Sequence, residues 1–210
     1  MTIKLLLYMK GETFIQAKRS EFEKKVFENP NSSTYWLALA THCLKEEGLE
    51  SSLAILDKAL KTINSRQENE RTNIWKGMLN IIHYYGQEET FDELFKKAAS
   101  ACDRTDITNH TVLLFNCEGH FDRSESYLNT LLKKSKDKLP VFIRLIEIIL
   151  QKQKYNLEKE IEQEDISVID DKIKEIVRRS LQSLSNSSHL TFLSRYASLE
   201  YKYSRTLQGR

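Results

Sequence analysis

The 210-residue chain is poor in the residues that build turns, with two prolines and six glycines. This scarcity disfavours many-stranded sheets and favours long helices joined by short connections. Its three cysteines contain no CxxC pair and form no even disulfide framework, which is typical of a reducing cytosolic or nuclear compartment. The apolar run LLLYM at 5–9 is far too short to cross a bilayer. We therefore expect a helical protein that makes no membrane contact.

Motifs that carry catalytic or metal chemistry are also scarce. The sequence has no glycine-rich phosphate loop and no nucleophile elbow. Its compact group of metal-ligating residue types is CEGH, Cys117 to His120, and a single CxxH without a second pair is weak evidence for zinc. The carboxylates of 158–165 form one continuous run rather than an acid and base pair. The sequence thus predicts no enzyme activity, no metal, no cofactor and no small-molecule substrate.

What the chain does contain is a helical segment that recurs and begins with a large aromatic residue, which we call helix A. In NSSTYWLALATHCLKEEG, Trp36 is followed by apolar residues three, four and seven positions later, the spacing of one helical face. The same spacing follows Trp75 and Phe142, and follows Phe192 more loosely. These regular offsets predict that the four aromatic residues anchor the core between helices and are not stacking platforms for RNA bases.

A second segment, which we call helix B, alternates with helix A and has apolar residues at its second and sixth positions. The interval from Trp36 to Ile55, where ILDKAL begins, is 19 residues, and the interval from Trp75 to Leu94 is also 19. Counting 19 back from Tyr127 predicts a degenerate third helix A near Thr108. The helix B segments are EFEKKV at 21–26, ILDKAL at 55–60, LFKKAA at 94–99, YLNTLL at 127–132 and IVRRSL at 176–181.

These repeats predict an all-α fold, a right-handed superhelical solenoid of antiparallel helix pairs. We expect one array of about four to five pairs over 18–207, an N-terminal extension at 1–17, and no second domain. Because 34 residues separate Phe142 from Ile176, a polar insertion is expected near 151–167, as an extended helix end or a loop. The array begins and ends on half repeats, as expected of a fragment of a longer protein or of ends that a partner covers.

Several elements of the first repeats carry a family resemblance. They are EFEK, PNSS followed closely by Trp36, ALKTI, the polar RQENER, and the Trp75 helix that ends in YYG. Residues 21–81 resemble the start of the C-terminal half-a-TPR (HAT) repeat array of the ribosomal-RNA-processing protein five family, also called the programmed cell death protein eleven family. Through RYASLEYKYS at 195–204 the resemblance is weaker, and in all it covers about 18–207.

This resemblance implies a non-enzymatic scaffold in ribosome biogenesis. Members of the family are nucleolar assembly factors of the early pre-ribosome, and their HAT array contacts proteins and RNA. We therefore expect nuclear and nucleolar localisation, with pre-ribosomal proteins and pre-rRNA as direct or indirect partners. The family also carries S1-type domains that bind RNA, and nothing in this chain resembles one.

A basic window is the sequence candidate for partner contact. Lys133, Lys134, Lys136 and Lys138 form a cluster of the kind that exchanges counterions for phosphate contacts, so we expect contact there with RNA or an acidic protein. The alternative is a solvated helix end. Two other functions also fit a repeat of this type: a HAT scaffold of mRNA splicing or 3′-end processing, and a TPR-like module that binds a peptide.

Overall fold

A computed structural model of the protein describes residues 19–159 and 166–207, and every regular element within these ranges is an α-helix. The predicted all-α helical-repeat fold is confirmed. The extension predicted at 1–17 lies outside the described residues. The described helices are α1 (Arg19–Glu28), α2 (Ser33–Glu46), α3 (Leu49–Thr62), α4 (Glu68–Tyr85), α5 (Glu88–Ala101), α6 (Arg104–Cys117), α7 (Phe121–Lys134), α8 (Leu139–Lys159), α9 (Ile166–Ser183) and α10 (Asn186–Leu207).

Helices of the A and B types alternate along the chain. The aromatic anchors lie on α2, α4, α8 and α10, and α6 occupies the position of the degenerate helix A. The five helix B segments lie on α1, α3, α5, α7 and α9. Helix α2 packs against both α3 and α4, and α8 packs against both α9 and α10. Contact of a helix with the next helix and the next but one is the packing expected of stacked helix pairs.

The chain divides into two compact units. The first ends at His110 and the second begins at Thr111, so the boundary lies within α6. In the first unit, the α2 stripe of Trp36, Leu39, Ala40 and Cys43 is buried. Four buried apolar residues at helical spacing remove a continuous strip of surface from water, which is the main stabilising contribution to such a pair. The second unit has its own apolar core, to which α6, α7, α8, α9 and α10 contribute.

Breaks between helices fall where the sequence has helix-terminating residues. Gly48, at the turn between α2 and α3, has a φ of +98°, and Gly86 ends α4, where its N–H donates to the Ile82 carbonyl at 2.8 Å. Pro140 lies in the first turn of α8, where a missing N–H removes no helical hydrogen bond.

The predicted insertion lies partly in a lengthened helix. Helix α8 continues to Lys159, so residues 151–159 extend this helix A. The remaining residues 160–165 lie outside the described part of the chain, and α9 begins at Ile166.

In two of the helix pairs, a buried serine of helix B donates a hydrogen bond to the backbone of helix A. The Ser52 hydroxyl donates to the Ala40 carbonyl at 2.8 Å, and the Ser124 hydroxyl donates to the Val112 carbonyl at 3.4 Å. Both serines are fully buried, and each lies three residues before the start of its helix B segment. The sequence analysis did not predict this repeated position, because the repeat was defined by the spacing of apolar residues only. A small polar residue at one offset in two repeats was the signal that could have revealed it.

Candidate functional site

The four lysines of the basic window lie at the end of α7 and in the connection to α8. Lys133 and Lys134 belong to the last turn of α7, and Lys136 and Lys138 flank Asp137 before α8 begins. Lys138 is half-buried and the other three are exposed. Within the described ranges, none of the four pairs with a carboxylate.

An open groove of about 230 Å³ lies beside two of these lysines, in the second unit. Lys133 and Lys138 line it together with Arg179 of α9, and the side-chain amides of Asn129 and Gln182 add further hydrogen-bond donors. We call this feature the basic groove. Its remaining lining residues are Leu132, Phe142 and Ser183.

The structure therefore divides the predicted cluster. Lys134 and Lys136 do not line the basic groove, whereas Arg179, which the sequence reading did not single out, does. Arg179 lies 41 residues after Lys138, so sequence proximity to the lysines gave no indication of it. Only the packing of α9 against α8 brings this guanidinium to the same groove.

Carboxylates close to the groove are engaged with other groups. An Asp137 carboxylate oxygen accepts a hydrogen bond from the Leu139 N–H at 3.2 Å, at the start of α8. Glu175 accepts two hydrogen bonds from the Arg178 guanidinium, at 2.8 and 2.9 Å, and these bonds lower the pKa of the Glu175 carboxyl. Among the residues that the structure describes, no carboxylate lines the basic groove, so its described lining carries an excess of positive charge.

The aromatic anchors differ in how completely they are buried. Trp36, Phe142 and Phe192 are buried, which leaves no ring face for a nucleic-acid base. The Trp36 indole N–H donates to the Pro30 carbonyl at 2.9 Å. Trp75 is half-buried, and its indole nitrogen is shielded from water without an acceptor among the described residues.

Polar contacts link α4 to α6 in the first unit. Lys76 Nζ lies 2.7 Å from an Asp106 carboxylate oxygen, and His110 Nε2 lies 2.9 Å from the Asn80 side-chain oxygen. Burial, assisted by the positive charge of Lys76, lowers the pKa of His110 to about 4. The ring is therefore neutral at pH 7, and its contact is a structural hydrogen bond between neutral groups.

The described residues include no group of three or more side chains arranged to hold a metal ion. Cys117 is exposed, and the nearby His120 lies 3.9 Å from Glu118. Among the described helices, none combines the length and the apolar content needed to span a bilayer.

The alternating helices, their pairwise stacking and the surface groove between three of them define an α-helical repeat protein. The chain is similar to proteins named RRP5, two of which are also named as rRNA biogenesis proteins. The chain is 29% identical over 196 residues to the rRNA biogenesis protein rrp5 of Schizosaccharomyces pombe, an alignment that covers 93% of this chain and 11% of the relative. It is 30% identical over 198 residues to the Arabidopsis thaliana protein RRP5, covering 90% of this chain and 9% of that protein. The Homo sapiens RRP5 homolog is 24% identical over 182 residues, covering 87% of this chain and 9% of the relative.

These similarities confirm the family resemblance: the chain matches one region of the RRP5 family. It spans about a tenth of the length of these relatives. No family model matches the chain.

Proposed function

We propose that this chain is a non-enzymatic scaffold region in ribosome biogenesis, which contributes to pre-rRNA processing through contacts with pre-ribosomal proteins and pre-rRNA. The observation that carries the proposal is the similarity to RRP5 proteins of a yeast, a plant and an animal over about nine-tenths of the chain. The names of the Schizosaccharomyces pombe and Arabidopsis thaliana proteins state a role in rRNA biogenesis, and by analogy we infer a nuclear and nucleolar location for this chain.

The fold supports a scaffold role on physical grounds. Helix pairs stack within each of the two units, and repeat proteins use the surfaces of such stacks to hold extended partners. The four lysines of the window, Lys133, Lys134, Lys136 and Lys138, contribute positive charge at the end of α7 and in the connection to α8. Clustered cations attract phosphate-rich particles from a distance and make the association sensitive to salt.

The test is association with pre-ribosomes. We expect that replacing all four lysines by glutamate shifts the chain from the pre-ribosomal fractions of a sucrose gradient to the top, because four positive charges become four negative ones. The RNA that co-purifies with the wild-type chain should be pre-ribosomal. Spliceosomal or messenger RNA in its place would support the alternative HAT scaffold instead.

A matched control separates loss of contact from loss of folding. Lys24, Lys58, Lys61 and Lys97 are exposed lysines on helices of the first unit, and changing them to glutamate alters the net charge by the same amount. Melting temperatures of both variants that match wild type would show that both are folded. If the window variant still co-sediments as well as the control, the window has no part in the association.

A further inference from the structure

The basic groove has the composition of a site for the phosphodiester backbone. Its three cations come from α7, from the connection that follows and from α9, and two side-chain amides and one hydroxyl stand among them. Lysine and arginine bind phosphate oxygens through charge-assisted hydrogen bonds, and asparagine, glutamine and serine add neutral donors to the same oxygens.

The helix termini near the groove do not reverse this charge. Helices α7 and α9 end at Lys134 and Ser183, and each C-terminus contributes a partial negative charge of about half a unit. The start of α8, beside Lys138, contributes a partial positive charge of similar size. Three full positive charges exceed the sum of these partial charges and of the one negative charge of the neighbouring Asp137, so the groove attracts anions.

The lining residues favour a nucleic-acid backbone over a peptide. A peptide partner is usually held by an apolar or aromatic anchor in a desolvated pocket. Here the apolar lining residues Leu132 and Phe142 are 7% and 1% exposed, which leaves almost no apolar surface for an anchor. The same burial excludes stacking of a base on Phe142, so recognition would depend on phosphates and would not read sequence.

We propose that the basic groove binds the backbone phosphates of single-stranded RNA, with Lys133, Lys138 and Arg179 as the phosphate contacts and Asn129 and Gln182 as supporting donors. This inference rests on the proposed function and names the ligand class at one part of its surface. Arg179 has the central role, since a guanidinium holds two phosphate oxygens in a planar fork that an ammonium cannot match.

The experiment uses the full 210-residue chain and a short fluorescein-labelled single-stranded RNA of mixed sequence, with anisotropy measured over a series of salt concentrations. Each phosphate contact to a single strand contributes about 0.7 to the slope of log affinity against log salt, so three contacts contribute roughly 2. The groove variant Lys133→Gln with Lys138→Gln and Arg179→Gln is expected to bind at least about tenfold more weakly at low salt and to lose this contribution.

The control variant removes the same charge outside the groove. It combines Lys134→Gln, Lys136→Gln and Lys174→Gln, and Lys174 is an exposed residue of α9 that pairs with Asp171 at 3.2 Å. We expect this variant to lose clearly less affinity and less slope than the groove variant. Arg179→Lys should keep the salt slope, since the charge remains. It should lose part of the affinity, because lysine lacks the planar guanidinium that binds two phosphate oxygens. Equal losses in the groove and control variants would overturn the proposal, because they would show a diffuse charge effect.

The outcomes separate this inference from the proposed function. If an acidic phosphopeptide binds the chain in a groove-dependent way and RNA does not, the phosphodiester assignment is wrong. If wild-type chain binds no RNA but still co-sediments with pre-ribosomes, the groove assignment fails and the scaffold function stands. If RNA binding depends on the groove while co-sedimentation is absent, the scaffold function fails and the groove assignment stands.

Discussion

At the scale of single residues, two turn glycines show the same backbone freedom in different surroundings. Gly48 and Gly119 have φ values of +98° and +83°, a region that residues with a Cβ rarely adopt. A Cβ at Gly48 would lie in open space. A Cβ at Gly119 would lie 2.9 Å from the ring of Tyr155, which packs edge-on against Phe121 with its centroid 5.5 Å away. Gly119 therefore carries a steric requirement in addition to the backbone one.

Alanine at these two positions should measure that difference. We expect Gly48→Ala to lower the free energy of unfolding by about 1–2 kcal/mol, through backbone strain alone. Gly119→Ala should cost about 1–2 kcal/mol more, because the methyl group must also displace the Tyr155 ring. Urea unfolding of both variants against wild type checks this. Equal losses at the two positions would show that Tyr155 moves aside at no cost.

At the scale of helices, the A helices meet through different side chains in successive repeats. Leu37 of α2 faces Gly77 of α4, where an added Cβ would lie 2.2 Å from the Leu37 Cδ2. The α2–α4 contact also includes a hydrogen bond from the Asn73 amide to the Ser33 hydroxyl, and the α4–α6 contact includes the Lys76–Asp106 ion pair and the His110–Asn80 hydrogen bond. The repeat thus conserves which helices meet while the side chains that join them vary.

The buried His110 makes this polar contact dependent on pH. As pH falls through 6.5, the ordinary pKa of histidine, the unfolded chain takes up a proton that the folded protein does not accept until about pH 4. Stability contributed by neutral His110 is therefore present above pH 6.5 and is lost progressively as pH falls towards 4. Asp106 acts against this loss, because its carboxylate favours the charged ring, whereas burial and Lys76 favour the neutral one.

The pH prediction is tested with His110→Gln, which removes the titrating group and keeps a donor for Asn80. We expect the stability advantage of wild type over this variant to shrink between pH 6.5 and 4.5, measured by urea unfolding at each pH. Carboxylates titrate in both proteins and cancel in the difference. A difference that stays constant over this range would mean that His110 ionises equally in the folded and unfolded chains.

At the scale of the whole molecule, stability is expected to be local. Each of the two compact units has its own buried residues, and in a repeat array each helix pair is stabilised chiefly by its neighbours. Trp36 of the first unit is 3% exposed and donates to the Pro30 carbonyl, so its removal damages the core around α2. The described core of the second unit runs from Val112 to Tyr203 and has no direct share in that damage.

Hydrogen exchange can measure this locality. Trp36→Ala should cost about 3–5 kcal/mol in the first unit, since it leaves a large cavity. We expect faster amide exchange in α1 to α4 and unchanged exchange in α8 to α10, read by mass spectrometry of peptic fragments. Phe142→Ala is the reciprocal variant in the second unit, and it should accelerate amide exchange in α7 to α10. Uniform acceleration across all helices in either variant would show that the chain unfolds as one cooperative body.

Much of the fold could be predicted from local pattern. The 19-residue interval from helix A to helix B placed α6 correctly although its stripe includes Thr108 and Thr111, which are both buried. It could do so because repeat spacing depends on helix lengths and connections, which survive the loss of an aromatic residue. The extent of the long α8 does not follow from the sequence, since the polar residues 151–159 have no strong signal for either a helix or a loop.

The sequence alone was sufficient for the helical class and the alternation of two helix types, because helical periodicity and turn residues act over a few neighbouring positions. The basic groove was decided only by tertiary structure. Arg178 and Arg179 are adjacent and chemically identical, yet Arg178 pairs with Glu175 and Arg179 lines the groove. Successive side chains of a helix point about 100° apart, so the packing of α9 against its neighbours selects which arginine faces the lysines. That selection depends on contacts between residues distant in sequence, which no local pattern records.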